Sequence, residues 1–153
     1  MDPSISGPPV ADLSTWKEHA RAGTAPADAV LRKGYTADNV KAEDGDSRKV
    51  AFTISTGAVH RDRDTLKVDG WDLKSYLKNP VVLWAHSYNT LPIGKAESIK
   101  TSSGALKATA EFATAEMNPL AESVYRMLKG GFLRATSVGF RPMKHAYDDE
   151  RGG

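Results

Sequence analysis

The sequence predicts an α+β domain in which a mostly antiparallel β-sheet or a small β-barrel carries packed helices. Two observations support this class. Between residues 48 and 143, short β-branched or alternating segments recur between turn residues, as antiparallel strands do. One amphipathic segment, at 118–131, has the cap, the first-turn proline and the closing glycine of a helix. The predicted order is strand, short helix, three strands, helix and strand, which favours helices packed on a sheet.

Residues 1–45 differ in composition from the rest of the chain. They begin with a stretch rich in Pro, Ser and Gly and show no sustained hydrophobic period. We expect a flexible arm or linker that could contain one short helix, capped at Ser14, with Trp16 and Ala20 on one face and Gly23 as its stop. A docking arm for a partner is the functional alternative for this region.

The predicted domain spans residues 46–147 and begins with a strand at 48–59. Alternation places two sets of side chains on opposite faces of that strand. The first set is Val50, Phe52 and Ile54, and the second is Ala51, Thr53 and Ser55. Segment 72–79 then predicts one or two helical turns, capped by Asp72 and ended by the proline that follows.

The next three segments predict an antiparallel meander. "PVVLWAH" (80–86) is a continuous apolar run that predicts a buried strand, and "LPIGKAESIKT" (91–101) predicts the next one. A turn is expected at Ser103-Gly104. The strand after it has an alternating apolar face of Leu106, Ala108, Ala110 and Phe112.

The clearest helical signal begins at Asn118, a predicted N-cap that is followed by Pro119 at the first helical position. An apolar stripe predicts the buried face, and Gly130 or Gly131 is expected to close the helix. The stripe consists of Leu120, Val124, Met127 and Leu128. A final strand is predicted at 132–143, and residues 148–153 form a charged tail.

Composition argues against several classes of function. The net charge is +2, from 21 Lys and Arg against 19 Asp and Glu, so the chain lacks the strong basic excess of many nucleic-acid-binding proteins. No apolar run approaches the roughly 20 residues that cross a membrane. Cysteine is absent, which excludes disulfides, thiol catalysis and cysteine-based zinc sites. We therefore predict no nucleic-acid partner and no membrane partner.

No metal or other cofactor is predicted either. The four histidines lie at 19, 60, 86 and 145, without the spacing of a helical metal-binding pair. His60 is interpreted as a surface-loop residue. Asp62 and Asp64 are interpreted as loop and turn residues rather than metal ligands.

Two residues are candidates for catalysis. His86 ends an apolar run, and Ser137 lies in a strand-like segment two residues before Gly139. The simpler interpretation is a half-exposed histidine and a solvent-facing serine. Alternatively, histidine is the commonest base for a serine nucleophile, and hydrolase residues far apart in sequence meet in space. The serine does not lie in a Gly-x-Ser-x-Gly elbow, because Ala135 replaces the first glycine.

Three motifs carry a resemblance to a known family. They are, in chain order, "NPVVLWAH" (79–86), "PIGKA" (92–96) and "SVGF" (137–140). The resemblance as a whole covers roughly residues 42–142. The chain resembles the prohead, or capsid maturation, proteases of tailed bacteriophages, the HK97-type family. That resemblance implies a serine endopeptidase with a fold similar to the herpesvirus assembly protease. It also implies that His86 is the general base and Ser137 the nucleophile.

The resemblance implies a substrate and a place of action as well. The implied substrate is the scaffold, or the scaffolding segment of the capsid protein, inside the immature head. Self-cleavage often accompanies this activity in the family. The expected location is the phage procapsid and the host cytoplasm, and a homo-oligomer remains open.

The chain also departs from the family pattern. Similar sequences continue past the serine motif, and the related fold takes a third catalytic group from beyond it. We therefore expect that group to be missing, unless a residue of the tail replaces it (His145, Asp148, Asp149 or Glu150). Oxyanion-hole candidates are Gly130-Gly131, Arg134 and Arg141.

Two other functions stay open at this point. One is an inactive protease-like domain that acts as a scaffold or binds capsid protein during assembly. The other is a small β-barrel binding module in which His86 and Ser137 meet by coincidence. Near the histidine, Trp84 is interpreted as a core residue. Tyr88 is interpreted as a turn residue, with a substrate groove as its functional alternative.

Overall fold

The computed structural model describes residues 11–35, 40–42, 45, 47–59 and 63–147. This part of the chain is α+β, as predicted, and its strands pair antiparallel. The elements are α1 (Leu13–Arg21), β1 (Leu31–Tyr35), β2 (Val40–Ala42), β3 (Lys49–Thr56), β4 (Val81–Val82), β5 (Gly94–Ser102), β6 (Ala105–Phe112), α2 (Pro119–Lys129) and β7 (Thr136–Phe140). Short 3-10 turns lie at Val68–Gly70, Tyr76–Lys78 and Trp84–His86.

The described strands form two sheets. Five of them pair in the order β2-β3-β6-β5-β4, and β1 pairs with β7 in a separate two-stranded sheet. The predicted turn between β5 and β6 is confirmed, with φ angles of 51° at Ser103 and 68° at Gly104. Two positive φ angles in a two-residue loop match the right-handed twist of the strands it joins.

Two irregularities change which way side chains face in the larger sheet. The register shifts between Thr53 and Ser55 in β3, and again between Ala96 and Ser98 in β5. An extra residue in a strand reverses the alternation after it. Ser55 is therefore fully buried on the same side as Val50, which corrects the prediction that these two residues face opposite sides.

The main core lies between the five-stranded sheet and α2. Val50, Ala110 and Phe112 meet a helix face that consists of Ala121, Val124, Tyr125 and Leu128. The predicted stripe was wrong at Leu120 and Met127, which are 38% and 44% exposed. The helix is rotated so that the ring of Tyr125 packs 5.9 Å from that of Phe112, measured between centroids.

The start of α2 follows the predicted capping pattern. The Asn118 side chain accepts a hydrogen bond from the backbone N–H of Leu120, and Pro119 begins the helix. The Asn118 amide also donates to the carbonyl of Pro92 at 3.1 Å. The beginning of α2 is thereby tied to the loop that follows His86.

The N-terminal segment contains more structure than was predicted. The short helix is confirmed as α1, but its cap is Asp12, which accepts from the backbone N–H of Thr15, rather than Ser14. Strands β1 and β2 were missed, although Leu31 in β1 is only 1% exposed. The local signal for these strands was weak because residues 1–45 are largely polar. In addition, β1 pairs with β7, which lies far away in the sequence.

The predicted strand at 80–86 was too long. Only Val81–Val82 is paired as a strand, Leu83 continues in an extended conformation, and the chain then turns sharply at Trp84–His86. Predicted strand 132–143 is confirmed over the shorter range 136–140. None of the described helices is long and apolar enough to cross a membrane. His60, Asp62 and the tail at 148–153 lie outside the described residues.

Candidate active site

His86 is held by a turn of unusual backbone geometry. Ala85 and His86 have φ angles of 49° and 56°, in the left-handed region that non-glycine residues rarely adopt. The turn is closed by a hydrogen bond of 2.9 Å from the N–H of Ser87 to the carbonyl of Trp84. Residues in this conformation persist when their surroundings impose it, and they are often found at functional sites.

Ser137 is presented by the two-stranded sheet. In β7, Ser137 and Gly139 alternate with half-buried neighbours and are exposed. Their partners across the sheet are Gly34 and Arg32 of β1. Directly paired residues share a face, so all four positions lie on the same side of this small sheet.

The structure brings the two candidate residues together. Nε2 of His86 lies 2.5 Å from Oγ of Ser137. When the ring is neutral with its proton on Nδ1, Nε2 can accept the hydroxyl hydrogen of the serine. A base within hydrogen-bond reach of a hydroxyl is the arrangement that activates a serine nucleophile.

The surroundings of His86 favour its neutral form. Burial lowers the pKa of the imidazole, because a charged ring is less well solvated there, and the nearby charge of Arg32 lowers the pKa further. A lowered pKa means that the ring is mainly neutral at neutral pH. A neutral ring is the one that can take a proton.

Arg32 and Gly34 are site residues that sequence reasoning missed. Both belong to β1, within the segment interpreted as an arm or linker. The signal that could have found them is the apolar run Ala29–Leu31, whose members are all buried. An apolar run that leads into alternating residues is typical of a strand.

The edge of the His86 ring that bears Nδ1 lies next to Gly139. A Cβ atom at position 139 would lie 3.6 Å from Nδ1 of the ring. Within the described part of the chain, no carboxylate pairs with this nitrogen. His145, one proposed substitute for a third catalytic group, packs against Trp16 with a centroid distance of 5.1 Å. The other substitutes, at 148–150, lie outside the described residues.

The structure also shows the surroundings of four other residues that were considered in the sequence analysis. Arg134 donates from Nε to the carbonyl of Gly131 at 2.8 Å, and Arg141 is exposed just after β7. Asp64 forms an ion pair with the buried Lys33. The prediction that Trp84 is a core residue was wrong, because it is 39% exposed.

Comparison with known proteins gives one informative match. The chain is 25% identical over 118 residues to the protein named prohead protease of Escherichia phage T5. The match covers 72% of this chain and 54% of that protein, so the chain spans about half the length of its relative. This distant similarity supports a phage prohead protease. No family profile matches the chain, and no solved structure matches it.

Proposed function

We propose that this chain is the catalytic domain of a serine endopeptidase that acts during phage head maturation. In this proposal Ser137 is the nucleophile and His86 is the general base. The substrate class is a scaffold protein, or the scaffolding segment of a capsid protein, inside the procapsid. The HK97-type and herpesvirus-like relationships predicted from the motifs belong to this proposal, as do self-cleavage and assembly into a homo-oligomer.

The observation that carries the proposal is the contact between His86 and Ser137. The two side chains are 51 positions apart in sequence, yet Nε2 and Oγ are 2.5 Å apart. The lowered pKa of His86 and the strained turn that presents it support the same assignment. The named function of the phage T5 relative gives independent support.

The chemistry follows from these two groups. Oγ of Ser137 attacks the scissile carbonyl carbon while Nε2 of His86 takes the hydroxyl proton. His86 then gives that proton to the leaving amine, and the acyl group stays on the serine as an ester. Water attacks the ester with His86 again as base, which releases the new carboxyl end and restores the serine.

The arrangement around Ser137 suits a protein substrate. Gly34 lies opposite Ser137 on the paired strand, and among the described residues beyond its chain neighbours, the nearest atom to a Cβ at Gly34 would be the carbonyl oxygen of Thr136, at 3.9 Å. The absence of a side chain there leaves space beside the nucleophile. Trp84 and Tyr88 flank the histidine and are 39% and 52% exposed, so both can contact a bound segment.

A second candidate is a protease-like domain that binds capsid protein without cleaving it. The observation in its favour is that Nδ1 of His86 has no carboxylate partner within the described residues. A base without such a partner is less well oriented and weaker at stabilising the imidazolium. The two candidates make opposite predictions for cleavage.

Intact-mass measurement after co-expression separates them. The full-length gene is expressed with the head proteins of the same phage, as wild type, as Ser137→Ala and as Ser123→Ala. Ser123 is an exposed serine of α2 and serves as the matched control. We expect shortened head-protein products with wild type and Ser123→Ala, and uncut masses with Ser137→Ala. Uncut masses with all three would favour the binding candidate, and continued cleavage by Ser137→Ala would refute the assigned nucleophile.

A further inference from the structure

The outer face of the five-stranded sheet has an unusual distribution of charge. Residues Lys107, Thr109 and Glu111 of β6 point to this face, because they alternate with the buried residues that meet α2. One end of the face contains an open depression of about 330 Å³. We use the name lysine face for this end alone and not for the whole outer face of the sheet. It is defined by the polar residues that line the depression: Lys41, Thr53, Ser98, Lys100, Lys107 and Thr109.

Strand register places two of these lysines directly opposite each other. Lys100 of β5 pairs with Lys107 of β6, and Lys107 also pairs with Thr53 of β3. Like charges at directly opposed positions of an antiparallel sheet are destabilising. Among the described residues, no carboxylate forms an ion pair with Lys41, Lys100 or Lys107.

The other end of the same face is arranged differently. There Lys49 pairs with Glu97 at 2.8 Å, and Lys95 pairs with Glu111 at 3.2 Å. Lysines are therefore neutralised at one end of the face and left in mutual repulsion at the other. The repulsion between Lys100 and Lys107 costs stability, and both residues line the open depression. We take this as an indication that their positive charge serves to bind a partner.

We propose that the lysine face binds an acidic segment of a partner protein, whose Asp and Glu side chains meet Lys100, Lys107 and Lys41. Carboxylates would relieve the repulsion between the paired lysines. The hydroxyls of Thr53, Ser98 and Thr109 offer further hydrogen-bond donors to the same groups. The proposal concerns a surface separate from Ser137, which lies on the two-stranded sheet, and it does not depend on cleavage.

The lining of the depression favours a peptide over a nucleic acid. Single-stranded nucleic acids are generally held by aromatic side chains on which bases stack, in addition to positive charge. The one aromatic residue of the lining is Phe52, and its ring packs toward Phe112 at a centroid distance of 6.4 Å. The lysine face thus offers charge and hydroxyl groups without a stacking surface.

Fluorescence anisotropy with a labelled peptide of glutamate and serine tests the proposal. We expect Lys100→Gln combined with Lys107→Gln to weaken binding about tenfold, because two exposed charge pairs with the peptide would be lost. The control combines Lys74→Gln with Lys78→Gln, which removes the same charge outside the sheet and should change affinity by less than about twofold. Lys100→Arg with Lys107→Arg should retain binding, and thermal unfolding checks that each variant is folded.

Three results would overturn the proposal. The first is that the wild-type protein does not bind the acidic peptide. The second is that both glutamine pairs weaken binding equally, which would reflect net charge alone. The third is that oligothymidylate binds more tightly than the peptide with the same dependence on Lys100 and Lys107. That last result would assign the surface to nucleic acid.

Discussion

Gly139 lies beside the imidazole of His86, and a Cβ atom at position 139 would stand 3.6 Å from Nδ1. That separation is an ordinary contact, so a methyl group fits there, whereas a branched side chain would extend into the space of the ring. Because Gly139 has no side chain to extend there, the imidazole ring of His86 can occupy its observed position.

We expect Gly139→Val to lower the cleavage rate about a hundredfold, because displacing a catalytic group by about 1 Å has effects of this size. Gly139→Ala should retain most of the activity. Both substitutions keep a residue that a strand accepts, so circular dichroism should show an intact fold. Equal rates for the two variants would contradict the inferred role of the space beside the ring.

Arg32 offers a test of the electrostatics at the site. Because its positive charge disfavours the imidazolium, Arg32→Ala should raise the pKa of His86, and Arg32→Lys should leave it nearly unchanged. The proposed mechanism needs the neutral ring as its base, so the acidic limb of the pH–rate profile should move to higher pH in Arg32→Ala. Nuclear magnetic resonance titration of the His86 ring measures the same shift without substrate. A pKa that stays constant or falls would contradict the inferred effect of Arg32.

The ion pair between Lys33 and Asp64 should be important for stability. The two side chains are only 3% and 14% exposed, and Lys33 lies in β1, next to Arg32. Removing one partner leaves an unpaired charge in a buried place, so Lys33→Met or Asp64→Asn should lower the free energy of unfolding by about 3–5 kcal/mol.

Urea denaturation gives that value, and Lys95→Met is the matched control. Lys95 pairs with Glu111, but these side chains are 64% and 37% exposed, so the cost should be at most about 1 kcal/mol. A combined Lys33→Met and Asp64→Leu variant should recover part of the loss. If Lys33→Met and Lys95→Met lowered the free energy of unfolding by similar amounts, burial would not explain the contribution of the ion pair between Lys33 and Asp64.

Ala85→Gly tests the strained turn. Left-handed geometry costs an alanine about 1–2 kcal/mol, while glycine in an ordered position costs about 0.5–1 kcal/mol in entropy. The two effects nearly cancel, so we expect thermal stability to stay the same or rise slightly. The control Ala121→Gly, in the buried face of α2, should destabilise by about 1 kcal/mol or more. A comparable loss in both variants would contradict the strain at Ala85.

The elements that sequence reasoning predicted well are those with local signals. Asn118 and Pro119 marked the beginning of α2, and Ser103-Gly104 marked the turn between β5 and β6. Strand β1 gave a weaker signal, because its inward-facing Lys33 is polar and is explained only by its distant partner Asp64. Local patterns cannot show an ion pair that the fold creates.

The candidate site was predicted in part. The motifs identified His86 and Ser137, and the structure places them in contact. The left-handed turn at Ala85 and His86 was not foreseen, because neither residue is a glycine and the segment reads as a strand. Arg32 was missed for a different reason: its relation to His86 arises from the pairing of β1 with β7.

The pairing of β1 with β7 has a consequence for protein synthesis. The strand that bears Ser137 is among the last described elements to leave the ribosome, and its partner is among the first. His86 is translated well before its serine. His86 and Ser137 therefore cannot meet until β7 has been synthesised, so the order of translation keeps the two side chains apart in the earlier nascent polypeptide.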